Sequence, residues 1–133
     1  ISKKLGSDEM ILVAHPNVAK HGQVGGQRQH LPLLTYPVSS FFGSIVWGEE
    51  VPRVLRERNA TIACESAFAV GLREMALAAT GAAWLPRSIV LNDLKSGALV
   101  QLKTISQPIP MTVTAHITKL RESAPAKQLR AIF

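Results

Sequence analysis

Short runs of consecutive apolar residues alternate along this chain with segments of helical spacing. Met10-Ile11-Leu12-Val13-Ala14 is an unbroken apolar run stopped by His15-Pro16. Its length and β-branched content predict a buried strand. Pro16 holds His15 in extended geometry, so the strand should end there. Residues 17 to 30 are polar and carry Gly22, Gly25 and Gly26, a pattern that predicts a loop. Leu31 to Tyr36 reads as a second strand, closed by Pro37. Ser39 and Ser40 then precede Phe41, Phe42, Ile45 and Val46, the spacing of one helix side with a serine at its N-cap. Pro52 interrupts that helix and starts another turn, with Val54 and Leu55 packed and Arg53, Arg56, Glu57 and Arg58 solvated.

Ala60 to Cys64 reads as a third strand, and Ser66 as the cap of the helix that follows. Phe68, Leu72, Met75, Ala76 and Ala79 form the apolar stripe of that helix, with Gly81 at its C-terminal cap. Ala82 to Leu85, stopped by Pro86, is a fourth strand. Ser88 to Leu94 is a short helix ending near Gly97. Leu99 to Leu102 is extended, Met111 to Ile117 is a strand, and Ala126 to Phe133 is a helix opened by Pro125. Strand and helix alternate through the middle, which predicts an α/β fold with a parallel sheet. The helices are few for a sheet covered on both faces, so either the sheet is small or part of the fold lies outside this chain.

The length of 133 residues fits one domain. With 47% hydrophobic and 18% charged residues, the chain can bury a core. No apolar run approaches the roughly eighteen residues of a membrane span. The single cysteine, Cys64, excludes an internal disulfide. The net charge of +6 raises the question of a polyanionic partner. The basic residues are dispersed, however, and dense only at Arg53 to Arg58 and near the C-terminus. No zinc finger or aromatic-interleaved basic motif accompanies them, so direct nucleic-acid binding is not expected. The chain opens on Ile1, without a visible secretory signal, which suggests a fragment or a processed product.

The candidate chemistry is positional. Two helices are expected to begin just after strands, at Ser39-Ser40 and at Ser66. In open α/β sheets ligands bind beyond the carboxyl ends of strands, where helix N-termini present unpaired amides and a positive dipole end. A small carboxylate suits such a place, with serine hydroxyls as donors and Tyr36, Phe41 and Phe68 as apolar walls. The plainer reading makes both serines simple caps. Cys64 reads as a buried, inert thiol, with a nucleophile or oxidation sensor as the alternative. Ser66 lacks the glycines of a hydrolase elbow. His15, His21 and His30 match no metal-ligand spacing, and Gly22-Gln23-Val24-Gly25-Gly26 lacks the lysine of a phosphate loop. No catalytic residue, cofactor or metal is expected.

Taken together, the segments resemble a known family. Met10-Ile-Leu-Val-Ala-His-Pro16 is similar to the crossover strand of the effector-binding domain of LysR-type transcriptional regulators. Ser66 to Leu102 resembles that family's helix, its Gly-x-x-x-Leu-Pro strand, a short helix and a Ser-Gly-x-Leu-Val-x-Leu segment. Ile109-Pro110 with Met111 to Ile117 is similar to its returning strand. No one motif is specific; their order and spacing carry the likeness over nearly the whole chain.

The resemblance implies a periplasmic-binding-protein-like fold of type II, here incomplete. Residues of about 14 to 100 would form the second subdomain, and 1–13 with 103–133 the crossovers and remainder of the first. An effector cleft would lie between them. Family effector contacts carry over to Tyr36, Ser39, Ser40 and Phe41, and to Ser66, Ala67 and Phe68. Trp84 lies on the matching strand and is expected to pack. The winged helix-turn-helix of the family is absent from these residues, so DNA would be reached only through that separate domain. The implied role is a cytoplasmic binding switch without bond chemistry, with a small-molecule effector and self-association into a dimer or tetramer. Alternatives are a solute-binding protein of transport and an oxidant-responsive regulator sensing through Cys64 or Met75.

Overall fold

The computed structural model describes residues 2–23 and 30–116. The elements in chain order are β1 (Ser2–Ala14), α1 (Pro16–Gln23), β2 (Leu31–Thr35), α2 (Phe41–Glu49), α3 (Val51–Glu57) and β3 (Ala60–Glu65). They are followed by α4 (Ala69–Leu77), β4 (Ala82–Pro86), α5 (Arg87–Ser96), β5 (Val100–Gln101) and β6 (Ile109–His116). The expected helix over 126–133 lies outside the described residues.

The chain divides into a larger unit, Glu9–Ile109, and a smaller one of Ile1–Asp8 with Pro110–Phe133. The strands run in the order β3-β2-β4-β1-β5, and β6 pairs with β1. Met10 to Ala14 are all fully buried, as an unbroken apolar run demands when its strand has neighbours on both sides. The sheet is mixed and not wholly parallel. β2 runs parallel to β3 and β4, as the alternating order predicts, but β1 is antiparallel to β4 and β5.

The stretch expected as a loop begins instead with α1. Pro16 opens it, where a missing N–H costs nothing. The His15 ring takes the place of a capping serine: its Nδ1 accepts from the Asn17 amide at 3.1 Å. Ala19 provides the buried face. Residues 24–29 lie outside the described set.

α4 departs from expectation at both ends. It starts at Ala69, not beside Ser66, and Phe68 occupies the N-cap without a side-chain hydrogen bond. Leu72 and Ala76 are buried as the stripe requires, Met75 is half-buried, and Phe68 points to solvent. The helix ends at Leu77 with Ala79 in the left-handed region at φ 62°. Gly81 therefore caps nothing. It enters β4 so close to β2 that a Cβ there would lie 2.8 Å from the Pro32 carbonyl oxygen. α5 does end as predicted, at Gly97 with φ 83°. Arg73 holds α4 to α5 through a two-pronged contact with the buried Asp93, at 2.7 and 3.0 Å.

Ser40 is the N-cap of α2, as expected. Its Oγ accepts from the Gly43 amide at 3.0 Å and donates to the Pro37 carbonyl at 2.7 Å. At the other end of α2, Glu50 joins α2 to α3 and is buried. Its carboxylate accepts from Arg53 Nε at 2.6 Å, Ser106 Oγ at 3.0 Å and the Gln107 amide at 3.1 Å. Arg53 is thus not the solvated residue its neighbours suggested. It also donates to Glu57 and, at 2.7 Å, to the Ile105 carbonyl. Burial alone would raise the Glu50 carboxyl, but the hydrogen bonds from Arg53, Ser106 and Gln107, with the charge of Arg53, outweigh it and hold the group below its ordinary range.

Two outcomes are expected. A Cβ on Gly43 would fall 1.8 Å from the Pro37 oxygen and 2.6 Å from Ser40 Oγ, so Gly43→Ala must open the Pro37–Ser40 turn. Denaturant unfolding should show a loss of roughly 1–3 kcal/mol, the range of overpacked sites. Secondly, a carboxyl with a depressed folded pKa stabilises above its unfolded pKa and loses that contribution as pH falls through the folded one. Stability should therefore fall below about pH 5, and Glu50→Gln should flatten that part of the profile while lowering stability at neutral pH. An unchanged acid limb in Glu50→Gln would refute the assignment.

Candidate functional site

β2 and β3 are parallel neighbours, and their last residues, Thr35 and Glu65, face one another in the ladder. The Ser66 amide then donates to the Thr35 carbonyl at 3.0 Å. The connections after β2 and β3 consequently leave the sheet side by side, at its carboxyl end. All of Tyr36, Ser39, Ser40, Phe41, Ser66, Ala67 and Phe68 fall in these two connections or at the first residue of α2. Sequence reasoning placed them together, and the fold does bring them to one edge.

Their individual roles differ from expectation. Tyr36 is fully buried and is no exposed wall. Its hydroxyl donates to the Trp84 carbonyl at 2.8 Å, and its own carbonyl accepts from Trp47 Nε1 at 2.9 Å. Burial pushes the phenol well above its ordinary pKa, so the hydroxyl stays a neutral donor. Phe42 packs its ring 5.4 Å from that of Tyr36 and 5.4 Å from that of Phe41. Ser39 is exposed, whereas Ser40 is engaged in the α2 cap.

Ser66 does not cap α4. Its Oγ accepts from the Phe68 amide at 3.2 Å and forms a tight turn before the helix. The hydroxyl nevertheless lies against the first turn of α4, since a Cβ on Gly71 would stand 3.5 Å from it. No side chain caps that first turn, which leaves its amides to solvent or to a ligand. The two connections and the helix starts also expose apolar side chains. Phe41 is 73% and Phe68 76% exposed, and Val38 and Val70 are exposed with them.

Sequence reasoning missed Thr35. Its Oγ1 is buried at the end of β2 without a hydrogen-bond partner. A threonine in an apolar strand carries no local signal of that. It missed too the connection from Trp84 Nε1 to Ser106 Oγ, 3.0 Å, because partners far apart in sequence leave no spacing to read. Trp84 itself is buried and packs, as expected.

The other candidates lie outside this edge or make contacts of their own. Cys64 is half-buried on the edge strand β3 and not enclosed in an apolar core. Its thiol donates weakly to the Glu65 carbonyl at 3.7 Å. His30 Nε2 sits 2.6 Å from Thr61 Oγ1, and His15 caps α1. The side chains of His21 and His116 lie outside the described set. Among the described residues no cluster of histidine, cysteine or carboxylate side chains could hold a metal ion, and no helix is long and apolar enough to cross a membrane. The two connections offer backbone amides, hydroxyls and aromatic faces, beside the exposed carboxylate of Glu65.

The LysR substrate binding domain family model matches residues 1–133. No curated protein shows a significant match to the chain. Solved structures share its fold. The apo regulatory domain of HypT from Salmonella typhimurium superposes with a TM-score of 0.78 at 22% identity, over 99% of this chain and 62% of that one. DarR from Vibrio fischeri, in complex with DNA, gives 0.75 at 19% identity over 98% and 44%. Full-length LysG from Corynebacterium glutamicum, with bound effector Arg, gives 0.60 at 20% identity over 98% and 43%. The chain therefore spans about three fifths of the regulatory-domain structure and somewhat over two fifths of the full-length regulators. Its mixed open sheet is that of the type II periplasmic-binding-protein-like fold, and the chain belongs to the LysR substrate-binding domain family.

Proposed function

We propose that this chain is part of the ligand-sensing regulatory domain of a bacterial LysR-type transcriptional regulator. The larger unit corresponds to the second subdomain, and the connections after β2 and β3 form one wall of an effector site. The effector is a small molecule with an anionic group, such as a carboxylate. Ser39, Ser66 and the uncapped first turn of α4 receive that group. Phe41 and Phe68 lie against its apolar part, Ala67 leaves room beside them, and Tyr36 and Ser40 hold the wall in place. The observation that supports this reading is the common ending of β2 and β3, from which the turns leading into α2 and α4 start side by side.

An effector that prefers one conformation of the regulator shifts the population toward it. In a dimer or tetramer bound to DNA through a winged helix-turn-helix elsewhere in the regulator, that shift changes the spacing of the DNA-binding heads. The module acts in the cytoplasm, where the DNA is, and needs neither cofactor nor catalytic residue. The DNA-bound DarR and the effector-bound LysG support both halves of this reading by analogy of fold.

A thermal-shift screen of small carboxylates against the complete effector domain tests the proposal. At a hundredfold excess over Kd, binding stabilises by about 2.7 kcal/mol, a readily measured rise in the unfolding midpoint. Ser66→Ala should reduce the rise for any hit. If no anion moves the midpoint, or if the Ser66 variant responds like the parent, the assigned wall is wrong.

A further inference from the structure

Ser106, almost fully buried between β5 and β6, is reached from both ends of the segment that builds the candidate wall. From one end, Tyr36 donates its hydroxyl to the Trp84 carbonyl, and Trp84 Nε1 donates to Ser106 Oγ. From the other, Ser106 Oγ and the Gln107 amide both donate to Glu50 Oε1, at 3.0 and 3.1 Å. Between Tyr36 and Glu50 lies α2, a nine-residue helix. Its first turn is locked to the wall by Ser40 and Pro37, and Trp47 on its far half ties back to the Tyr36 carbonyl at 2.9 Å. The hydrogen bonds and the helix thus close a ring that contains both the wall and the exit segment Leu102–Gln107.

A closed ring of this kind transmits displacement. A helix of this length does not compress, so a shift at Ser40 and Phe41 arrives at Glu50. There it meets a carboxylate that is buried and held by Arg53 at 2.6 Å. Water cannot easily replace the partners of Ser106 or Glu50, and an unpaired buried polar group is costly. The exit segment must therefore follow or the bonds must break. Arg53 strengthens the coupling by gripping the same segment at the Ile105 carbonyl, 2.7 Å away.

We propose that α2 is a lever between the candidate effector wall and the exit segment Leu102–Gln107, with the Glu50 carboxylate as its latch on Ser106 and Gln107. Glu50, Arg53 and Ser106 are positioning residues that touch no ligand. The inference rests on the proposed function for its biological meaning, but its test needs no effector. The two can therefore fail separately: effector binding at the wall does not require a working lever, and a working lever does not require that effector.

The test is amide hydrogen exchange on the intact chain. Ser40→Ala removes the α2 cap at the wall end and should accelerate exchange of the Gln107 amide by roughly fivefold, the scale of a lost N-cap. The Leu99 amide, bonded to the Asp93 carbonyl outside the ring, should change by less than about twofold. In a Glu50→Ala background the effect of Ser40→Ala on Gln107 should vanish. Should Glu50→Ala not fold, Ser106→Ala removes one of the two latch bonds and should reduce the effect without abolishing it, since the Gln107 amide still donates to Glu50. The lever is overturned if Gln107 responds no more than Leu99, or if it responds equally with the latch intact and removed.

Discussion

The pairing of β2 with β3 decides where every candidate site residue falls. The ladder does not run evenly: Leu33 faces Ile62, whereas Leu34 faces Cys64, so one residue of β3 is taken up in a bulge. An even register would have set Thr35 opposite Cys64 and let β3 continue past the end of β2. The shift sets Thr35 opposite Glu65, and the next amide, that of Ser66, closes on the Thr35 carbonyl. Both strands therefore stop at the same level. The turn into α2 and the turn into α4 start from a common edge because of that one displaced residue.

What those turns present is mostly backbone. Tyr36, the largest polar side chain of the region, turns inward to Trp84, and Ser40 spends its hydroxyl on Gly43 and Pro37. The polar groups left at the surface include the hydroxyl of Ser39, that of Ser66, the first amides of α4 and the exposed carboxylate of Glu65 at the end of β3. Amides have no pKa in the accessible range and point in directions fixed by the helix. Such amides recognise charge and shape without titrating themselves.

The sequence was most legible where one residue type has one structural use. Met10 to Ala14 had to be central, Pro37 and Pro86 had to end their strands, Ser40 had to cap, and Gly97 had to close α5. It was least legible where one residue does another's work. His15 stands in for a capping serine, so α1 looked like loop. Ser66 makes a turn before the helix and does not cap it, because the helix begins three residues later. Ala79 takes the left-handed position usually left to glycine, while Gly81 serves a close approach of β4 to β2. Phe68 has the spacing of the buried stripe but precedes the helix, and a spacing argument fails outside the element that sets it. The seven candidate residues were legible as a group because strand ends are local. The buried bonds that hold them in place were not, since Glu50 with Ser106 and Tyr36 with Trp84 join partners that only the finished fold brings together.

Those long-range bonds account for a contrast within the larger unit. Its helices are held by the burial of apolar side chains such as Leu72, Ala76 and Val90, which is non-directional and tolerates small adjustments. The α2–α3 junction is instead held by a buried carboxylate with three directional partners. An apolar junction of the same volume would be at least as stable, since ion pairs lose much of their attraction to desolvation. What directional bonds add is discreteness: each is made or broken, and a slightly displaced geometry satisfies none of them. On the proposed reading, a molecule that reports whether its wall is occupied needs a small number of distinct arrangements and not a continuum. Placing Glu50 at the far end of the helix that carries the wall, and Ser106 on the segment leaving the larger unit, puts that discreteness where a signal would have to pass.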